Sequence, residues 1–324
     1  MDVSVIIPTH NRAAFLTAAL DSVIAQTVGC HIEIAVIDDG STDDTAEVIK
    51  PYADRFSDRS GSRYINYIQQ PQQGVVAARN HGLAKTGAPL VAFLDSDDYW
   101  DKHKLERQLQ AIRNDDQVAA VHTSFRYVDE ASQFTDDGPQ RLDNPCAGQC
   151  AAVLLREDVI IFSSVLMRRS AIDRAAAAQP HGLAFAPGLT NAQDYDLLLR
   201  VAMLGRFIYI PQTLTFYRQH DAHGAMGNLK QAFGYHCRVQ RSFVEQFGEQ
   251  IGVNDKDINS IIGDFLFSRA ESAFWRRDLK VARDLCELAR EQDVFELRFE
   301  DLLRKAAKPA WLYTIRDRLG RLLG

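Results

Sequence analysis

Strand-like and helix-like stretches alternate along the first hundred residues. "VSVIIP" (3 to 8) is a β-branched run closed by Pro8. In the following "NRAAFLTAALDSVIAQT", Phe15, Leu16, Leu20, Val23 and Ile24 share one helical face. The scheme then repeats, with a strand from Ile32 to Ile37, a turn, and a helix capped by Ser41 or Thr42 that continues through Ala46 and Ile49. "YINYIQQ" (64 to 70) is a third strand, "VVAARNHGLAKTG" a helix closed by Gly87, and "LVAFLD" (90 to 95) a fourth strand. This alternation predicts a parallel sheet covered by helices on both faces. Ligands of such sheets sit at the carboxyl ends of the strands. The polar clusters after Ile7, Ile37 and Leu94 should therefore converge.

The pattern loosens from 101 to 220. A polar helix (102 to 114) leads to the strand "VAAVHTSF" and then to a loop rich in Asp, Gly and Pro (129 to 148). "IIFSSVLMRRSAI", the helix "DYDLLLRVAMLG" and the strand "FIYIPQTLTFYRQH" follow. Beyond Gly227 only amphipathic helical segments remain, such as "LKVARDLCELARE". The expected organisation is an α/β domain over 1–225 and an all-α region over 226–324.

Composition leaves room for an enzyme and removes some partners. With 46% hydrophobic and 25% charged residues, the 324-residue chain is ordinary for a globular protein, and a net charge of -6 argues against nucleic acid. Five scattered cysteines read as thiols, and Cys146 and Cys150 lack a second pair at zinc spacing. "MDVSVIIPTH" has no basic start, and no apolar run reaches the ~18 residues of a membrane span, so a cytoplasmic location is expected.

The candidate chemistry begins with "VAFLDSDDYW", where a buried strand runs into Asp95, Asp97 and Asp98. Two like charges ~4 Å apart repel by roughly 4 kcal/mol at an effective dielectric near 20. A divalent cation held by hard oxygen ligands would make the cluster tolerable. Asp38 and Asp39 end another strand, where one Asp would suffice for the turn. Their carboxylates can accept from a nucleobase N–H or a ribose hydroxyl. Arg79, early in a helix, is either a solvated cation or a phosphate ligand. Asp194 and Asp196 both lie in the first turn of a helix, where either offsets the helix dipole. His220 closes the last strand.

Taken in order, "VSVIIPTHNR", "IDDGSTDDT", "GVVAARNHGL", "FLDSDD", "QDYDLLLR" and "YRQH" resemble the family 2 glycosyltransferases. The resemblance covers residues 3 to about 220. It implies a GT-A, Rossmann-like, mostly parallel sheet and an inverting transfer from a nucleotide diphosphate sugar, a UDP-sugar first, to a glycan or lipid-linked hydroxyl. By that resemblance Pro8, Thr9, His10, Arg12, Asp38, Asp39, Gly40, Arg79, Asp95 and Ser96 bind the nucleotide. Asp95, Asp97 and His220 hold Mn²⁺ or Mg²⁺, and Asp194 deprotonates the acceptor. Gln193 stands where many members have Glu, at an acceptor contact. Ala222, Gly224 and Ala225 replace serines that often follow the histidine.

Other readings fit less well. A haloacid-type phosphohydrolase would have Thr or Val where Tyr99 stands. A dinucleotide-binding oxidoreductase needs a Gly-x-Gly-x-x-Gly after the first strand, and "PTHNRAAF" has no glycine. A nucleotidyltransferase would want a Gly-rich basic loop there. The alternative of another class is a non-catalytic nucleotide-sugar or glycan-binding module. Finally, residues 302 to 324 carry six basic side chains against Asp317 alone, with Trp311, Leu312, Ile315 and Leu319 on one stripe. This is either a packed terminal helix or an interfacial helix on an anionic membrane.

Overall fold

A computed structural model describes residues 2–58, 61–140, 146–220 and 229–307. Its first half runs β1 (Val3–Thr9), α1 (Ala13–Ile24), β2 (Ile32–Asp39), α2 (Thr45–Arg55), β3 (Arg63–Gln70), α3 (Val75–Lys85) and β4 (Leu90–Phe93). A two-residue β5 (Tyr99–Trp100), α4 (Lys104–Ile112), β6 (Val118–Val128), β7 (Phe134–Gln140) and α5 (Ala151–Arg156) come next. After a 3₁₀ turn at Phe162–Ser164 follow β8 (Leu166–Arg168), α6 (Arg169–Ala177), α7 (Gln193–Ala202) and β9 (Arg206–Arg218). Four helices complete the described chain: α8 (Leu229–Ile251), α9 (Asp255–Trp275), α10 (Leu279–Glu291) and α11 (Leu297–Ala306).

The strands form one mixed sheet in the order β3-β2-β1-β4-β8-β6-β9-β5, with β7 on β6. Strands β3, β2, β1 and β4 pair in parallel, as alternation with helices requires, and β8 turns the sheet antiparallel on both its sides. The faces follow the period-2 rule. Val3, Val5 and Ile7 of β1 join Leu16, Leu20 and Val23 of α1, Ile49 of α2 and Leu105 of α4 in one core. Ile6 points the other way, against α3, which approaches so closely that a Cβ on Gly82 would lie 2.4 Å from Ile6 Cγ2. The two compact units comprise Met1–Leu154 with Asp158–Ala225, and Leu155–Glu157 with Met226–Gly324. In the second, Asn254 and Asp257 close a capping box on α9.

Two local expectations need correcting. Ser41 and Thr42 do not cap α2, which begins after Asp44 without a side-chain cap. Ser41 Oγ instead accepts the Asn11 N–H, and Asn11 Oδ1 accepts the Thr42 N–H, so these loops are zipped to each other. The polar stretch 129–148 is not all loop, because Phe134–Gln140 pairs antiparallel with β6. Edge strands need little apolar sequence, and this one carries almost none.

At the amino ends of the strands, away from the site, Glu33 is buried. Burial alone would raise its carboxyl, but hydrogen bonds from Ser4 Oγ and the Gly87 and Ala88 N–H groups outweigh that and hold it below the ordinary glutamate value. A lowered folded pKa stabilises the fold above the unfolded value, and this is lost as pH falls through the folded value. Glu33→Ala should therefore cost about 1–3 kcal/mol at neutral pH by urea denaturation. The difference from the unsubstituted protein should shrink in acid.

Candidate active site

The carboxyl ends of β1, β2 and β4 converge, drawn together by the loops that follow them. His10 Nδ1 lies 2.9 Å from the Asp39 carbonyl oxygen, and its Nε2 lies 3.2 Å from Gln72 Nε2. Pro8 and Thr9 end β1. Thr9 is buried and its Oγ1 has no hydrogen-bond partner. Asp38 accepts from Ser41 N–H at 2.8 Å and from Tyr67 Oη at 2.6 Å. Burial pushes its carboxyl up, but these bonds prevail and it lies below the usual aspartate value. Asp39 accepts from Gln70 Nε2, Gln73 N–H and Gly74 N–H at 2.7–2.8 Å. Gly40 turns the chain at φ +76°, where a Cβ would meet Gln72 N at 2.9 Å.

The acidic run after β4 is divided among three environments. Asp95 Oδ1 accepts from Arg79 Nη2 at 2.7 Å. Burial raises its carboxyl, the Arg79 charge opposes this, and Asp97 adds to it. Asp97, partly exposed, lies 2.9 Å from His220 Nε2 and 3.6 Å from Arg12 Nε. Asp98 is 1% exposed and accepts from Ser163 Oγ at 2.6 Å and from the Arg218 N–H at 2.9 Å. Burial, then Asp95 and Asp97, push its carboxyl well above the ordinary range. Ser163 also accepts the Asp95 N–H, and its own turn is fixed by Trp100 Nε1 donating to the Ser163 carbonyl and Gln108 Nε2 to that of Ser164. Ser96, between Asp95 and Asp97 in the chain, is buried.

Arg79 is 2% exposed and lies over the rings of Phe162 and Phe185, yet its Nε and Nη1 have no partner. Its neighbour Asn80 clamps Phe185 through both backbone groups, which fixes the segment before α7. That segment enters α7 through Ala192 at φ +57°, a left-handed conformation unfavourable for alanine. The next residue, Gln193, is buried with Oε1 unpartnered. Among the described residues Asp194 accepts only the Tyr195 N–H, through Oδ1, and its charge is felt at Asp95. Asp196, in contrast, is bound to Arg200 at 2.6 Å, and Arg200 also donates to the Ala175 and Ala184 carbonyls. The two acidic residues of one helical turn thus have different partners.

No group of three His, Cys, Asp or Glu side chains gathers in metal-binding geometry among the described residues. A pair does suit a cation: Asp97 Oδ2 and His220 Nε2, 2.9 Å apart. An octahedral ion with ligands at ~2.1 Å sets adjacent ligand atoms about 3.0 Å apart. Asp95 turns to Arg79 instead, and Cys146 and Cys150 are buried apart from the site. Ala222, Gly224 and Ala225 lie outside the described residues.

The model of Glycosyl transferase family 2 matches residues 4–174. The chain belongs to that family. This glycosyltransferase is 31% identical over 229 residues to an uncharacterized glycosyltransferase of Nostoc sp., covering 70% of this chain and 67% of that one. It is 30% identical over 215 residues to the succinoglycan biosynthesis protein ExoU of Rhizobium meliloti, covering 63% of this chain and 58% of that one. Uncharacterized glycosyltransferases from Rickettsia match over only 18–21% of their own length. Its fold resembles that of S. aureus TarS 1-349 in complex with UDP-GlcNAc, with a TM-score of 0.62 at 17% identity, covering 94% of this chain and 88% of that one. It also resembles the mannosyltransferase PcManGT of Pyrobaculum calidifontis in complex with GDP-Man and Mn²⁺, with a TM-score of 0.54 at 18% identity, covering 97% and 83%. The glycosyltransferase thus has a GT-A-like mixed sheet followed by a helical region. No described helix is long and apolar enough to cross a membrane.

Spacing did not reveal Ser163, Tyr67, Phe185 or the role of Arg218. Asp98 and Asp97 should respond differently to substitution. Asp98→Ala leaves the Ser163 hydroxyl and Arg218 N–H without an acceptor and should cost about 1–3 kcal/mol. Asp98→Asn, which keeps one acceptor oxygen in the same place, should cost less. Asp97→Ala, losing only partly exposed pairs, should cost at most about 1 kcal/mol. Urea denaturation of the three variants measures this order.

Proposed function

We propose that this chain moves a sugar from a nucleoside diphosphate sugar, a UDP-sugar first, to a hydroxyl of a glycan or lipid-linked acceptor, inverting the anomeric centre. The observation that carries the reading is the division of labour in α7. Asp196 is bound to Arg200, while Asp194 keeps an oxygen without a hydrogen bond and acts on the same electrostatic field as Asp95. A carboxylate so placed can accept the acceptor's proton as its oxygen attacks the anomeric carbon. Gln193 Oε1, buried without a donor, suits a second acceptor hydroxyl.

On the donor side Pro8, Thr9, His10, Asp38, Asp39 and Gly40 line the nucleoside pocket. Most of the Asp38 and Asp39 bonding shapes that pocket, and their remaining lone pairs face the nucleoside. Arg79 offers its unpartnered nitrogens to a phosphate or ribose oxygen, with Arg12, Asp95 and Ser96 beside it. Asp97 and His220 would hold Mn²⁺ or Mg²⁺. The metal supplies Lewis-acid stabilisation of the charge on the departing diphosphate.

Calorimetric titration of UDP, GDP and dTDP with Mn²⁺ tests the donor side. Asp97→Ala should abolish metal-dependent nucleotide binding while the protein stays folded; undiminished binding would remove the metal from the reading. Asp194→Asn should keep donor affinity and lose transfer by about 10²–10⁴-fold. Transfer at the native rate would assign the base elsewhere, and a retained anomer by NMR would contradict single displacement.

The proposed location is the cytoplasm, with peripheral binding to the inner face of the plasma membrane through the basic stretch 302 to 324. Two of its six cations are already paired, Arg304 with Glu300 and Lys305 with Asp301, and the residues from 308 lie outside the described structure. Sedimentation with anionic vesicles at low salt should be lost at high salt and on truncation after Lys308. Absence of binding at low salt would leave this segment a structural helix.

A further inference from the structure

His220 is flanked by two carboxylates, of which only Asp97 belongs to the acidic run after β4. On its other side Nδ1 lies 3.2 Å from Oε1 of Glu130, a residue in the turn between β6 and β7. The imidazole is held edge-on against Phe15 of α1, with ring centroids 5.2 Å apart, so its two nitrogens address the two carboxylates in a fixed orientation.

This arrangement is built into the backbone. The turn is closed by the Ser132 N–H donating to the Asp129 carbonyl and the Gln133 N–H donating to the Asp129 carboxylate. Arg218, two residues before His220, donates from Nη1 to the Asp129 and Glu130 carbonyls at 2.7 and 3.0 Å and from Nη2 to Ser132 Oγ. Its Nε donates to the Asp97 carbonyl at 2.8 Å. One buried guanidinium thus fixes the backbone of both residues whose carboxylates face the ring. Glu130 itself is half exposed, and among the described residues its carboxylate pairs with His220.

We propose that Glu130 is a positioning residue for His220. By accepting a hydrogen bond from Nδ1–H it leaves Nε2, beside Asp97 Oδ2, as the nitrogen that presents its lone pair to a divalent cation. A histidine ligand is oriented, and its tautomer fixed, by the group that accepts from its other nitrogen, and losing such a partner weakens metal binding. The inference rests on the metal-dependent reading above and adds to it a residue outside every motif that carries the family resemblance.

The test is titration of Mn²⁺ alone and in the presence of whichever of UDP or GDP the unsubstituted protein binds, followed by loss of the free Mn²⁺ paramagnetic resonance signal. Glu130→Ala should weaken Mn²⁺ binding by about 10–100-fold. Glu130→Gln, which keeps an acceptor without the charge, should fall between. In a His220→Ala background, Glu130→Ala should cause no further loss, and the metal-free melting temperature should be the same with and without Glu130. Undiminished Mn²⁺ affinity in Glu130→Ala, or an equal loss in the His220→Ala background, would overturn the inference and leave the metal reading standing. Failure of the unsubstituted protein to bind Mn²⁺ would overturn both.

Discussion

Arg218 is the interaction on which the site's geometry depends. At 4% exposure a guanidinium is costly to bury unless every donor is matched. Here each of its three nitrogens has an acceptor, and its plane lies over Phe15 and Tyr99. Its main chain also serves, since the Arg218 N–H is one of two donors to buried Asp98. The acidic loop, the β6–β7 turn, α1 and the end of β9 thereby become one rigid frame. A lysine could not substitute, because a single ammonium lacks the planar fork that reaches the acidic loop and the β6–β7 turn at once.

Arg79 is the instructive contrast. It is as deeply buried and also lies over two aromatic rings, yet only one of its nitrogens has a partner. Leaving a buried donor unmatched costs about 1–3 kcal/mol, so a fold keeps such a group only for a reason. The same distinction separates the carboxylates. Asp98 and Asp196 are bonded to donors that belong to the frame, whereas Asp97 pairs with His220 and Asp194 accepts the Tyr195 N–H through one oxygen. Groups whose bonding is complete build the frame; groups whose bonding is incomplete are the ones proposed above to meet a ligand.

That distinction is also where sequence reading stops. Periodicity was enough to place the parallel strands and their helices, because one residue's face follows from its neighbours. The partition of "DSDD" was not legible, because Ser163 and Arg218 reach Asp98 across 65 and 120 residues. Spacing likewise left Asp194 and Asp196 equivalent as helix-dipole partners, and the Arg200 contact separates them. The two-residue β5 lay below any periodic signal. The β7 strand was hidden by polar residues, since its pairing is made by backbone rather than by an apolar face.

The proposed donor and acceptor sides are joined through consecutive residues of α3. Arg79 faces Asp95, and Asn80 grips Phe185, whose ring lies in turn under Arg79. An anion drawn to the free Arg79 nitrogens would therefore bear on the same side chains that set the segment leading to Asp194. The left-handed Ala192 belongs to this arrangement. A glycine there would relieve roughly 1 kcal/mol of strain but loosen the entry to α7. Alanine keeps the first turn, and with it the Asp194 carboxylate, in one orientation before any substrate arrives. Preorganisation of that kind places the cost of ordering in folding rather than in the reaction.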